Sequence, residues 1–496
     1  MNKTMIHSKI NITVILFLTA VLISCGMVSA PKVKAASVQF QNTTRLGGTD
    51  RFDTSVKIAK YGWKNSDNVV IADAQGNNAF ADAVTGTSLA YNLDCPILLT
   101  NINSTPQVVK DEIKSLGVKN IYIMGGTGVV SKSQENSFKS NGYNVTRIAG
   151  SDRFETAAKA ADVLNSKSKV KAVYIVPPDK FQYALIAAPY AARQGAAILF
   201  ANASNQYGYM AGNMNSSTKS EISKLGVKYA AIVGSYNVVS YDMSAQLENM
   251  GVQCYTIHGT TPQSAAESFM NLDEEKGVSI SSDSLFPDAL SSSVLTAKYN
   301  YNPILVNSKL RYTLDDTSKS ALIFGGTGAV SDNLGNYIRN SGNAKDISNA
   351  ELSQLYWDSG VSFEDIMFSA ANGEQLDNVV TGNDGKEYVP IPEQYDNYTK
   401  MKDVLLKYDT DEYVDTELNY FSDLYDIDGK IVVTYGNVGM SFLDMNPVIL
   451  SRQNIDSNTI QVKFKQVPED IGVVTFKFED NRWKVSNYKW IQDGAM

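Results

Sequence analysis

Ile121-Tyr122-Ile123-Met124-Gly125-Gly126-Thr127-Gly128-Val129-Val130-Ser131 is the stretch on which the fold of this chain turns. It returns as Ala230-Ala-Ile-Val-Gly-Ser-Tyr-Asn-Val-Val-Ser240, and again as Ala321-Leu-Ile-Phe-Gly-Gly-Thr-Gly-Ala-Val-Ser331. Each copy is a short apolar run of β type that halts at glycine. Each then resumes with a serine able to cap a helix. Glycine suits the halt because it accepts positive φ and close backbone approach. A nucleotide-binding loop is the alternative. Gly125-Gly126-Thr127-Gly128 is neither G-x-G-x-x-G nor a P-loop, and no Lys-Ser or Lys-Thr pair follows it. A turn used three times reads as scaffold.

Working outward, each copy closes a longer unit. The first unit opens with Thr44-Arg-Leu-Gly-Gly-Thr-Asp-Arg-Phe52 and the second with Thr146-Arg-Ile-Ala-Gly-Ser-Asp-Arg-Phe154. The third opens more loosely with Tyr255-Thr-Ile-His-Gly-Thr-Thr-Pro262 and lacks both arginines. A period of roughly 100 residues is too long for a solenoid and fits small domains in tandem, at 44–145, 146–254 and 255–340. Within a unit, strands alternate with helices. Phe52, Val56 and Ala59 share a helix face, Asn68 to Ala72 is a strand, Pro96 to Thr100 another, and Val108 to Leu116 a helix. That order predicts an α/β unit with a largely parallel sheet, its apolar strands covered on both faces.

These motifs resemble the clostridial-type cell wall binding repeat 2 family. The resemblance rests on Arg45-Leu-Gly-Gly-Thr-Asp-Arg-Phe52, on Phe80-Ala-Asp-Ala83 followed by Pro96-Ile-Leu-Leu99, and on the Gly-Gly-Thr-Gly turn. It covers about Thr44 to Asn340 in three copies. It implies three repeats around a pseudo-threefold axis, and anchoring to the wall through an anionic secondary polymer. It also makes the end of Pro96, Ile97, Leu98 and Leu99 a candidate groove wall, although by its residues that run reads as core strand. The copies differ. Tyr183 stands where Asp82 and Asp288 stand in the other two, and Ser235 replaces the second glycine. Three equivalent ligand sites are therefore not expected.

Arginine suits a polyanion because its planar fork binds phosphate or carboxylate through two charge-assisted hydrogen bonds. Arg45, Arg51, Arg147 and Arg153 are the candidate ligand-binding residues. The competing reading is structural, with Asp50 capping a helix and pairing with Arg51. Asp82 and Asp288 read as helix-start or packing residues, and no carboxylate cluster predicts a metal.

The N-terminus reads as an export signal over residues 1–35. Lys3 and Lys9 precede the apolar run Ile10 to Ser24, and Val33-Lys34-Ala35 offers a cleavage site. Leu22-Ile23-Ser24-Cys25 also has the form of a lipobox, but the better signal-peptidase site lies downstream. No other run predicts a transmembrane helix in the mature chain. Cys95 and Cys254 remain after cleavage and sit in different repeats, so no disulfide is expected. His7 and His258 are the only histidines, which excludes histidine zinc sites and most Ser-His or Cys-His catalysis.

Charge divides the chain. Residues 36–340 carry 27 Lys and Arg against 25 Asp and Glu, whereas 341–496 carry 13 against 27. An excess of fourteen negative charges disfavours nucleic acid and anionic membranes and suits a basic protein partner. After a polar linker at Asn340 to Asp346, helical patterns run over Asn349 to Ala371, Tyr398 to Lys407 and Asp411 to Leu424. Alternating strands follow at Ile431 to Tyr435, Thr459 to Phe464, Val473 to Phe478 and Trp483 to Trp490. They predict an α+β domain over 347–496 with a helix on a curved antiparallel sheet, projecting away from its anchor. Asp409/Asp411 and Asp426/Asp428 read as solvated surface acids. Tyr388 to Tyr398, Lys400 to Leu406, Asp428-Gly-Lys430 and Arg482 to Val485 are similar to bacterial DL-endopeptidase inhibitor proteins, of cystatin-like or nuclear-transport-factor-like shape. A secreted, wall-anchored, non-enzymatic protein regulating wall hydrolases is the expectation, with no cofactor. A wall-glycan hydrolase using two carboxylates and a surface-layer or adhesion component are the alternatives.

Overall fold

A computed structural model describes residues 40–491, apart from 76–78, 203–213, 236–237, 240–241, 271–275, 315–319, 341–344, 372–379, 382–384, 391–397, 421–423, 428–429, 435–447 and 466–470. The export signal, Tyr395 and the Asp428-Gly429 turn lie outside the described residues. Repeat one comprises β1 (Thr43–Leu46), α1 (Arg51–Gly62), β2 (Asn68–Asp73), α2 (Ala79–Val84), α3 (Thr87–Asn92), β3 (Ile97–Thr100), α4 (Gln107–Ser115), β4 (Asn120–Met124) and α5 (Lys132–Ser140). Repeat two follows with β5 (Asn144–Ile148), α6 (Arg153–Lys167), β6 (Val173–Val176), α7 (Phe181–Gln194), β7 (Ala197–Phe200), α8 (Ser216–Leu225), β8 (Tyr229–Val233) and α9 (Asp242–Asn249). Repeat three has β9 (Gln253–Ile257), α10 (Pro262–Met270), β10 (Gly277–Ser282), α11 (Phe286–Tyr299), β11 (Tyr301–Val306), β12 (Tyr312–Leu314), β13 (Ser320–Phe324) and β14 (Ile338–Asn340).

Each repeat holds a four-stranded parallel sheet, and the opening strand of every repeat joins the sheet before it. The orders are β3-β2-β4-β5 and β7-β6-β8-β9, and in the third sheet β11-β10-β13-β1. Thus β1 closes the ring by pairing with β13, Arg45 opposite Ile323. Arg147 lies opposite Ile123 and Thr256 opposite Ile232 in the same register. The central strands β2, β4, β6 and β8 are almost wholly buried, as continuous apolar runs require when helices cover both faces. On the axis, the rings of Phe80, Phe181 and Phe286 form a triangle of 5.7, 6.2 and 6.4 Å. Around them α3, α7 and α11 pack together, and Thr87 of α3 shares a 3.0 Å hydroxyl bond with Ser293 of α11. The pseudo-threefold arrangement is therefore visible residue by residue.

The C-terminal part begins with α12 (Asn349–Ala371) and continues through β15 (Val380–Thr381), β16 (Glu387–Pro390), α13 (Tyr398–Leu405), α14 (Asp411–Tyr420), β17 (Leu424–Ile427), β18 (Lys430–Thr434), β19 (Val448–Asn454), β20 (Thr459–Lys465), β21 (Ile471–Glu479) and β22 (Arg482–Ile491). Two antiparallel sheets form, β15-β16-β18-β17 and β19-β20-β21-β22, where one meander was expected. Ser348 and Glu351 make a reciprocal capping box at the start of α12, with bonds of 2.7 and 3.2 Å. Tyr356 stacks on Phe464 at 5.0 Å between ring centres, so α12 lies on the second sheet. Asp409 corrects the reading of a solvated acid. It is buried and accepts a 2.6 Å bond from Ser359, which supplies the partner that burial demands.

Candidate functional site at the repeat junctions

The glycine-ended turns carry more than a change of direction. Gly125 has φ +89° and Gly325 φ +99°, a region that costs a side chain strain. A Cβ on Gly125 would lie 2.6 Å from Asp82 Oδ2, and one on Gly325 2.4 Å from Asp288 Oδ2. The backbone of each turn therefore sits directly on the acid from the start of α2 or α11. In repeat two a Cβ on Gly234 would lie 3.6 Å from the Tyr183 ring.

Arg45 and Arg147 clasp neighbouring repeats. Arg147 donates to the Gly125 carbonyl and to Glu135 Oε2, both at 2.8 Å. Arg45 donates to the Gly325 carbonyl and to Asp332 Oδ1, both at 2.9 Å. Glu135 is held down to about 2 by hydrogen bonds from Lys132 and Lys139, with Arg147 adding to them. Repeat three has Thr256 at this position, so the clasp is missing where repeat three meets repeat two.

Arg51 and Arg153 stand one residue inside their helices, behind true N-caps. Asp50 accepts from the Asp53 amide and Asp152 from the Glu155 amide, both at 2.8 Å. Arg51 donates to the Ala74 carbonyl and Arg153 to the Pro178 carbonyl, at the loops that follow β2 and β6. Each also faces the acid of the preceding repeat. Burial pushes Asp288 up to about 6 against the pull of Arg51. Burial likewise raises Asp82, opposed by a hydrogen bond from Thr156 and the charge of Arg153. Two junctions thus hold a guanidinium, an acid whose pKa burial raises, and a glycine turn whose tips, Thr127 and Thr327, are exposed.

The remaining site candidates sit elsewhere. Pro96, Ile97, Leu98 and Leu99 were placed at a groove wall by resemblance, but all four are buried and their side chains belong to the core. Sequence reasoning missed that Arg51 acts on Asp288 and Arg153 on Asp82, because the two residues of each set come from different repeats. A signal was present. Repeat two lacks the acid and repeat three lacks the arginine, and those positions meet at one junction, where Pro262 replaces arginine. There Asp358 of α12 enters instead, accepting from the Thr260 hydroxyl and, at 2.9 Å, from Gln354 Nε2. The free cysteines are buried, and burial raises both thiols, Cys254 to about 12. They are poor nucleophiles.

Comparison with known proteins agrees with the threefold repeat. The family model described as Cell wall binding domain 2 (CWB2) matches residues 45–135, 147–244 and 259–334. N-acetylmuramoyl-L-alanine amidase LytC of Bacillus subtilis (strain 168) is 31% identical over 308 residues, 60% of this chain and 58% of that enzyme. The amidase enhancer of the same bacterium is 33% identical over 157 residues, 32% of this chain and 21% of that protein. The chain therefore spans under two thirds of the length of either relative. Among solved structures, Cwp6 from Clostridium difficile aligns with TM-score 0.52 and 23% identity, over 62% of this chain and 50% of that one, a likeness of fold. Three matched segments in tandem, together more than half of the residues and one to each parallel sheet, show that this chain belongs to the Cell wall binding domain 2 family, proteins of the cell wall and cell surface.

Proposed function

We propose that this chain is a secreted, non-enzymatic wall-binding protein. Its three repeats, at 44–145, 146–254 and 255–340, hold an anionic secondary wall polymer. Its acidic domain at 347–496 engages a basic partner, a wall hydrolase being the fitting class. The observation that carries the first part is that Arg51 and Arg153, bonded to the Ala74 and Pro178 carbonyls, bring their charge towards Asp288 and Asp82 at junctions whose turn tips are exposed. An arginine there offers a polyanion charge-assisted bonds, and a repeating polymer multiplies weak contacts through avidity. The second part is supported by the charge of residues 341–496, which speeds association with cationic proteins. Likeness to an amidase enhancer points the same way.

The test uses the full mature chain and Gram-positive walls, intact or stripped of phosphodiester-linked polymer with hydrofluoric acid. Retention on intact walls and loss on stripped walls, weakening with salt, is the expected result. Equal retention on both would overturn it. The likeness to an amidase favours one competing reading, a wall hydrolase. Release of soluble muropeptides by the purified chain would establish that reading in place of this one.

A further inference from the structure

The three junctions are built alike and exposed differently. Thr49 and Ser151, at the openings of repeats one and two, are exposed, whereas their counterpart Thr260 is only 9% exposed. The position after each positive-φ turn glycine differs in the same sense: Gly126 and Gly326 are half-buried, whereas their counterpart Ser235 in the third turn is 1% exposed. What covers the third junction is α12. Asp358, itself buried, accepts from Thr260, and Gln354 Nε2 donates to the Thr260 hydroxyl at 3.1 Å. The helix is fixed from its other end by repeat three. Arg311 reaches Asp346 Oδ2 at 2.9 Å and Glu351 Oε2 at 3.1 Å, and Arg339 reaches Glu351 Oε1 at 3.0 Å.

We propose that the wall polymer is received at two of the three junctions, between repeats one and two and between repeats three and one, while the third is the seat of the C-terminal domain, with Asp358 of α12 filling it through Thr260. This rests on the wall-binding reading above and deepens it. The substitutions at the third junction fit the role. An aspartate at 183 would place a second buried carboxylate against Asp358, and like charges in a desolvated site repel strongly. Tyr183 removes that charge. Pro262 removes the arginine that a polyanion would need. At the open junctions the chemistry defines the ligand class. Arg51 or Arg153 takes a phosphate or carboxylate group, and Asp288 or Asp82 takes a sugar hydroxyl. An acidic glycan carries both groups on neighbouring atoms.

The experiment measures retention of the full chain on intact and acid-stripped Gram-positive walls. Thr127→Trp and Thr327→Trp place bulk at the two open mouths, on exposed turn positions that leave the core untouched. Each should weaken binding at least tenfold, and the pair at least a hundredfold, with thermal unfolding unchanged. Thr127→Ser and Thr327→Ser should bind as the parent does. Asp358→Ala should leave wall binding within twofold while speeding proteolysis between the repeats and the C-terminal domain at least fivefold. Mouth variants that bind normally would overturn the assignment of the open junctions. Wall binding altered beyond twofold by Asp358→Ala, in either direction, would overturn the dedicated third junction. If instead the parent chain fails to distinguish intact from stripped walls, the wall-polymer reading itself falls.

Discussion

Arg147 donates to Glu135 and to the Gly125 carbonyl from a mostly buried position, so its removal strands two acceptors at once. Hydrogen bonds to charged groups contribute about 1.5–3 kcal/mol each. Arg147→Ala should lower stability by about 2 kcal/mol, read from chemical denaturation of the repeats. Arg45→Ala should cost less, below about 1 kcal/mol, because its partner Asp332 is 77% exposed and solvent screens the pair. Glu135 gives a second check. Its pKa is depressed from 4.5 to about 2, so its stabilisation is complete above pH about 4.5 and is lost as pH falls towards 2. Glu135→Gln should flatten that part of the acid-unfolding curve, measured by circular dichroism.

At the scale of the element, the turn between β4 and α5 separates two glycines that look alike in sequence. Gly125 has positive φ, and a Cβ there would lie 2.4 Å from Val129 Cγ2 and 2.6 Å from Asp82 Oδ2. Gly126 has neither feature, and a Cβ there meets nothing within 4 Å. Gly125→Ala should cost about 2–4 kcal/mol, the strain and the overpacking each contributing about 1–3. Gly126→Ala should be neutral or stabilise by under about 1 kcal/mol, by restricting the unfolded chain. Equal losses for both would show that the turn does not press on the acid. Asp50 caps its helix as expected, and Asp152 and the Ser348–Glu351 box do the same at theirs. Caps are legible because donor and acceptor lie within three residues of each other.

For the whole molecule, the acidic domain does not project away from the ring. Its charge was the reason to expect repulsion, yet α12 meets the ring through Thr260, Arg311 and Arg339, local contacts that net charge does not describe. The seat should respond to pH. Burial raises Asp358 to about 7, with hydrogen bonds from Thr260 and Gln354 opposing it and Glu267 of α10 adding to it. Burial raises Tyr183, and the charge of Asp358 adds to it. An acid raised on folding binds its proton more tightly in the folded state. Its seat is therefore firmest near pH 4, loosens as pH rises towards 7, and changes little above. At about 1.4 kcal/mol per unit, the loss amounts to a few kcal/mol. Proteolysis between ring and C-terminal domain should accelerate from pH 5 to pH 7, and Asp358→Asn should remove most of that acceleration. The residue of the slope belongs to Glu267, which burial also raises.

Reading the sequence alone located many strands and helices of repeat one and of the C-terminal part, including α12 at its observed ends, Asn349 and Ala371. But it missed β15, β16 and β19 and ran the Asp411 helix on to Leu424, where β17 begins. It established three copies of one α/β unit and the membership that follows from them. Those features are local: apolar periodicity, glycine turns and caps act over a few residues, and repetition makes them legible three times. Only the tertiary structure decided where each opening strand goes, since β1 finds β13 across most of the ring. It also decided that Pro96 to Leu99 are core, and that Asp409 is buried. The influence of Arg51 on Asp288 acts between residues more than 200 positions apart, and the seat of Asp358 on Thr260 joins residues 98 apart. No propensity encodes such a meeting. It is created when three sheets close around Phe80, Phe181 and Phe286, and the closed ring leaves two junctions open to solvent and one under α12.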